Sequence, residues 1–346
     1  MKSTRFVNGW GGRVLHAASS RWGQQGAALL AAMLTVTLVA TLTAASLWQQ
    51  WRAVEVETAE RSRVQAAWVL TGALDWSRLI LREDARSGGA DHLAEPWAIP
   101  LQEARLSSFL AADRDNNAAA DDSDATAQAF LSGQISDLQA RLNAMSLLDG
   151  KAISPPDLQS FARLFNLLGL PPNELNTLAE NLRFAADTSP DNQSGGQASL
   201  LPQSLEQLRW MGLSATSVAL LAPYVTVLPT RTPLNLNTAS AQAIYASLPG
   251  LELADAQRLV RAREQSHFRS LEDAAVQLGS AADAAKQGRH SVASQYFEVR
   301  GRLRLDALAL EERSVVQRIG IEVRTLSRQR DSLGQPALAA TDAVAR

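Results

Sequence analysis

The sequence predicts an α+β protein: a long N-terminal transmembrane helix packed on a small antiparallel sheet, with a large all-α insertion. Three observations predict it. A charge-free apolar run near the N-terminus continues, with no Gly or Pro between Ala27 and Thr71, into an amphipathic stretch. Strand-like alternation of apolar and charged residues appears around Ile135 and again from Gln295. Between these lies a block with apolar residues at helical spacing, punctuated by Pro and Gly.

The first element is the apolar run. Trp22 to Trp51 contains no charge, and Ala27–Trp48 reads AALLAAMLTVTLVATLTAASLW. A membrane-spanning helix needs about 20 mostly apolar residues. Its backbone groups must be satisfied internally, and Thr35, Thr37, Thr41 and Thr43 can bond back to preceding carbonyls. Residues 1–26 carry Lys2, Arg5, Arg13 and Arg21 and no acid, whereas the far side begins with Arg52 and soon brings Glu55, Glu57 and Glu60. The positive flank stays in the cytoplasm, so the rest of the chain is expected outside it. The alternative is a cleaved secretory signal with Thr43–Ala45 as its small-residue site, but the apolar run exceeds the roughly 7–15 residues usual for such a signal.

Beyond the bilayer the helix is expected to lay a stripe on a soluble domain. Val64, Ala67, Trp68 and Leu74 recur near helical spacing among Arg61, Arg63, Gln65 and Asp75. Gly88-Gly89 and Pro96 end it. Ile135–Asn143 alternates partially, as a half-buried strand does. Gln295–Leu305 sets Phe297, Val299, Leu303 and Leu305 on one face and Glu298, Arg300, Arg302 and Arg304 on the other. Ser314–Arg324 repeats this with Val315, Ile319, Ile321 and Val323, with some slippage. The two runs predict an antiparallel hairpin whose inner face meets the amphipathic half of the long helix.

In the helical block, Ser154-Pro155-Pro156 signals a helix start, followed by Leu158, Phe161, Leu164, Phe165 and Leu168. Gly169 stops that helix, and Pro171-Pro172 opens another with Leu175, Leu178 and Leu182. Thr188–Ala198 is polar and Gly-rich, hence a loop. Leu205, Leu208, Met211 and Leu213 resume a short helix.

The chemistry is sparse. The 346 residues carry a formal net charge of -2, without the basic excess of a general nucleic-acid binder. The absence of cysteine excludes disulfides, zinc–thiolate sites, iron–sulfur clusters and thiol nucleophiles. His16, His92, His267 and His290 are scattered, and His92 near Glu95 reads as a surface contact. No phosphate-binding loop, nucleophile elbow or zinc-protease motif occurs. The pairs Glu83-Asp84 and Glu311-Glu312 are sequence neighbours, which on a helix do not face each other. No catalytic residue is therefore assigned. Asp113–Asp124 has oxygen ligands near calcium-loop spacing but lacks the Gly of the sharp turn. It reads as an exposed acidic loop, and calcium is the one cofactor left open.

Leu234–Ala274, LNLNTASAQAIYASLPGLELADAQRLVRAREQSHFRSLEDA, resembles a helix-hairpin-helix module. Asn237 or Thr238 would cap the first helix and Leu248-Pro249-Gly250 would make the turn. In the nucleic-acid version, backbone N–H groups approach a phosphate there. Here Glu252 and Asp255 stand at the phosphate position and repel it, so a structural or protein-binding use is expected. Arg258, Arg261 and Arg263 on the second helix read as a solvated face.

The string Arg21-Trp-Gly-Gln-Gln-Gly26-Ala-Ala-Leu-Leu30 resembles a type IV prepilin leader. The resemblance implies cleavage by a prepilin peptidase after Gly26, with Gly26 leaving the leader end extended, and a methylated N-terminus at Ala27. Pilins usually have glutamate at the fifth mature position, but Ala31 stands there. Missing this acid is typical of the K-type minor pseudopilins of the type II secretion system. Trp76–Ala98, Gly133–Leu147 and Tyr224–Thr238 (YVTVLPTRTPLNLNT) resemble landmarks of that family in order.

The resemblance implies a pseudopilin fold and a non-enzymatic tip subunit that initiates or caps a periplasmic pseudopilus. Its partners would be the I- and J-type minor pseudopilins, the major pseudopilin, the prepilin peptidase and the inner membrane, with no nucleic acid. Leu29, Leu30, Ala31, Leu34, Leu38 and Ala45 would pack among neighbouring helices. The implied organisation is a leader at 1–26, the N-terminal helix at 27–87 (membrane part 27–48), and a pseudopilin domain at 88–150 and 291–328. A helical insertion occupies 151–290, its helix-hairpin-helix-like part 234–274, and a disordered tail 329–346. The alternative is a membrane-anchored DNA-uptake protein that uses the helix-hairpin-helix.

Overall fold

In the computed structural model of the protein, the described residues are 22–106, 129–187, 200–305 and 308–333. The basic segment through Arg21, the acidic stretch Asp113–Asp124 and the loop Thr188–Ala198 lie outside them.

Helix α1 runs from Trp22 to Ser87. Its hydroxyls bond back as the composition predicts: Thr35 Oγ1 donates to the Ala32 carbonyl at 2.8 Å and Thr43 Oγ1 to the Val39 carbonyl at 2.7 Å. The helix begins before Gly26, so Gly26 is helical and not extended. The reason is local: no Pro stands between Trp22 and Ala27 to stop the helix, and a single Gly is tolerated within one.

The chain forms two compact units, Met1–Ser62 and Arg63–Arg346. In the second, the later turns of α1 bury Ala66, Leu70, Leu74 and Leu81 against a sheet. This stripe corrects the predicted one: Val64 and Trp68 are exposed, Trp68 at 72%. At 100° per residue each lies about 200° round the helix from Ala66, on its far side. Gly88, at φ 67°, closes the helix, its N–H donating to the Asp84 carbonyl.

The sheet comprises β1 (Leu101–Arg105), β2 (Ala129–Asp137), β3 (Tyr296–Leu305), β4 (Leu308–Ile319) and β5 (Glu322–Leu333), antiparallel throughout and ordered as numbered. Leu131, Ile135, Val299, Leu303, Leu310 and Val316 join α1 in its core. Gly301 lets the helix come close, since a Cβ there would lie 3.3 Å from Leu70 Cδ2.

The predicted hairpin is a three-stranded meander. The apolar run from Ser314 to Arg324 is cut by a turn at Gly320, φ 57°, where Ile319 pairs with Glu322. The slippage in its alternation is that turn. The chain remains β-strand to Leu333, so residues 329–333 are not tail: Gln329 pairs with Arg313, and Arg330 Nη2 donates to Glu312 Oε2 at 2.6 Å. β5 is an edge strand, and its charges suit that place. The strand expected over Ile135–Asn143 is β2, shifted towards the N-terminus. It ends because the Asp137 carboxylate accepts the Gln139 N–H at 2.7 Å and turns the chain.

A second core belongs to the helical block: α2 (Pro155–Leu168), α3 (Pro172–Ala186), α4 (Ala215–Leu221), α5 (Ala241–Ser247), α6 (Leu253–Gln265) and α7 (Leu271–Leu278). Phe161, Leu164, Leu178, Leu208, Ile244 and Leu259 pack within it. The expected short helix near Leu208 is a 3₁₀ turn, Glu206–Met211. The block leaves the sheet after β2 and returns into β3. These strands are paired neighbours, Asp137 opposite Phe297 at their ends.

Candidate assembly surfaces

Gly26 and Ala27 are exposed in the first turns of α1, a turn without an acid. Leu29, Leu30, Ala31, Leu34, Leu38 and Ala45 are all exposed. Ala31, Leu34, Leu38 and Ala45 follow at intervals of three, four and seven residues, which places them on one helix face. The helix is long and apolar enough to cross a membrane, and Trp48 and Trp51 sit with ring centroids 5.5 Å apart near the end of its apolar part. The surface is chemically suited to lipid and to other apolar helices.

A groove of about 310 Å³ lies between α1 and the sheet, with Leu74, Trp97, Ile135 and Val299 among its walls. Trp76 and Ile99 line it too and are partly exposed.

The helical block is joined to the sheet by a buried polar cluster. Asn235 Nδ2 donates to Ser294 Oγ at 2.8 Å, and to Asp137 Oδ2 and the Asp91 carbonyl at 3.2 Å each. The hydroxyls of Thr238 and Ser294 donate to the same Asp137 oxygen. Burial pushes Asp137 up to about 6, against the lowering effect of the Ser294, Thr238 and Gln139 bonds. Arg318 on β4 donates to Asp84 and Asp91 and to the Ser294 carbonyl. Its guanidinium also lies 4.9 Å from the centre of the Phe297 ring. Burial raises Asp91 despite Arg318.

Carboxylate oxygens of Asp84, Asp91 and Glu95 converge within 4.8 Å, the one grouping of metal-ligand type among the described residues. The Arg318 guanidinium already pairs with two of the three. Beside it, His92 is more than a surface contact. Its ring stacks on His267 at 3.8 Å, and Glu95 Oε2 accepts both the His92 backbone N–H and Trp97 Nε1–H. Burial, helped by nearby Asp84, pushes Glu95 up to about 7.

The family-like string Leu234–Thr238 thus has a structural meaning. Asn235 and Thr238 bond across to the sheet, and Asn237 exchanges two 2.9 Å bonds with the backbone of Phe268. Neither Asn237 nor Thr238 caps α5. Ser240 does, its hydroxyl accepting the Ala243 N–H. Sequence reasoning missed this cluster: Asp137 and Arg318 stand in strands that carry other polar residues and gave no separate signal of burial.

The helix-hairpin-helix-like turn turns away from phosphate. Glu252 and Asp255 form a capping box at the start of α6, with Asp255 accepting the Glu252 N–H at 3.3 Å. Arg258 pairs with Asp255. Arg263 is not on a solvated face: its guanidinium donates to the Leu236 carbonyl at 2.6 Å, and burial pulls it down to about 10. The Glu252 amide, Arg258 and Arg263 are bonded within the fold, and Glu252 and Asp255 stand where a phosphate would sit, so the DNA-binding alternative is not favoured.

Comparison with known proteins agrees. Residues 140–230 and 234–293 match two family models described as Type II secretion system (T2SS), protein K. The chain is 27% identical over 333 residues to the Type II secretion system protein K of Pseudomonas aeruginosa, covering 90% of this chain and 91% of that one. Its fold matches a chain in the crystal structure of the GspK-GspI-GspJ complex from the enterotoxigenic Escherichia coli type 2 secretion system. The TM-score is 0.57 at 18% identity, over 79% of this chain and 98% of the other. Two family matches over the helical block and a relative along nearly the whole length make the chain similar to the type II secretion system protein K family.

Proposed function

We propose that this chain is a minor pseudopilin that starts or caps a pseudopilus in type II secretion, a structural role without catalysis. The observation that carries this is α1: an apolar, acid-free first half, then a stripe buried on the sheet. An unpaired carboxylate in lipid is costly, and a subunit with no neighbour beyond it has no amine to pair. The relative in the GspK-GspI-GspJ complex supports I- and J-type minor pseudopilins as partners, with the major pseudopilin below them.

In this reading the helix crosses the inner membrane with its N-terminus in the cytoplasm and the sheet and helical block in the periplasm. Leu29, Leu30, Ala31, Leu34, Leu38 and Ala45 pack against sister helices, and the bulk of the helical block excludes a further subunit. A prepilin peptidase cuts after Gly26. The test is N-terminal mass analysis of the protein from its host. A methylated Ala27 start is the expected result; an intact Met1, or a start near Ser46, would overturn the reading.

A further inference from the structure

A small polar cleft in the helical block is lined by no residue of α1 or of the five-stranded sheet. Its volume is about 100 Å³, and it lies between α2, the short segment Arg141–Ser146, the Arg231–Leu234 stretch and the turn at Gly288-Arg289. Three arginines line it, Arg141, Arg231 and Arg289, against one acidic residue, Asp157; Arg141 also lines a second cleft, with Glu206 and Glu298. Only Arg231 pairs with that acid, at 2.8 Å. Arg289 uses Nη1 on the Pro156 carbonyl and Ser160 Oγ, which leaves its buried Nε–H without a partner. Arg141 has no side-chain hydrogen bond or ion pair among the described residues. The Ser146 hydroxyl also lines the cleft, and although the residue is only 7% exposed its Oγ has no partner.

Buried polar atoms are nearly always paired, so two unsatisfied groups in one cleft call for an occupant. Both can donate. Arg141 and Arg289, which make no ion pair among the described residues, select a small anion with several acceptor oxygens, the chemistry for which arginine is suited. The positive field is felt nearby: burial, then Arg289, pulls His290 down to about 4.

We infer that this cleft binds a small phosphate-type oxyanion, either the free ion or the phosphate of a lipid headgroup. Arg141, Arg289 and Ser146 supply the donors, and Arg231 with Asp157 fixes one wall.

The test is calorimetric titration of the detergent-solubilised full chain, at constant ionic strength, with inorganic phosphate and separately with glycerol 3-phosphate. Saturable binding is expected, weakened about tenfold by Arg141→Gln and severalfold by Ser146→Ala. Neither variant removes a bond the fold uses, and matching thermal melts establish that each is folded. Tighter binding of inorganic phosphate assigns the free ion; tighter binding of glycerol 3-phosphate assigns the headgroup. No saturable binding of either probe, or binding unchanged in both variants, would overturn the proposal.

Discussion

Arg318 is a cation on the inner face of a strand, 9% exposed, held by carboxylates from the end of α1 and the segment after it. Removing one partner of such a group leaves buried charge uncompensated, which costs more than the intact pair contributes. Arg318→Met is expected to destabilise the chain by about 3–5 kcal/mol in urea melts, and adding Asp91→Asn should recover part of the loss. Glu95 gives a pH signature. Its carboxyl is raised to about 7, so between the ordinary carboxylate range and that value the folded chain holds a proton the unfolded chain has released. Its contribution to stability is greatest below this window and is lost as pH rises through it. His290, pulled down to about 4, runs the other way, losing stability as pH falls from its ordinary value. The wild type therefore has to be compared with Glu95→Gln, which keeps an acceptor for His92 and Trp97. The wild type should lose about 1–2 kcal/mol relative to this variant between pH 5 and 8, a figure discounted for partial exposure; identical pH profiles would show that Glu95 does not titrate there.

Among the elements, α1 separates residues that hold the fold from residues that are free to meet a partner. Leu70 is buried over Gly301 and Trp68 is exposed. Leu70→Ala should cost about 3 kcal/mol. Trp68→Ala should change the chain's own stability by less than about 0.5 kcal/mol while weakening co-purification with the I- and J-type pseudopilins proposed as partners. The helix itself was legible because its apolar run is long and free of breakers. Its buried stripe was less so, because Ala66 is small and Val64 and Trp68 are large, and size reads as core until a sheet fixes which face is covered. The β3 alternation was legible for the same reason in reverse: each inward residue of Phe297, Val299 and Leu303 is apolar. The turn at Gly320 was not, because Ile319 and Ile321 flank it and continue the apolar pattern through the corner while both remain exposed. The buried clamp was hidden for a deeper reason. Asp91, Asp137, Asn235, Ser294 and Arg318 are distant in sequence, and polar residues advertise burial only after their partners are known.

The helical block enters and leaves through neighbouring antiparallel strands, so the sheet order does not depend on it. Asp137 and Phe297 are already opposite each other, about 5 Å apart as in any antiparallel pair, and a two-residue turn can close that gap. What the block does contribute is the clamp: the Asn235 and Thr238 bonds to Asp137, and the packing of Leu228 with Leu138 and Tyr296. Replacing residues 138–296 by Asn-Gly should therefore leave α1 and the five strands folded, with Asp137 solvated and no longer shifted upward. The expected outcome is a membrane-inserted protein with a cooperative melt at a lower midpoint, protected from protease across α1 and the sheet, yet unable to support secretion of cargo. Loss of all cooperative unfolding would mean that the block is part of the sheet's own stability. Retained secretion would mean that the excluding bulk assigned to the block is not what the pseudopilus tip requires.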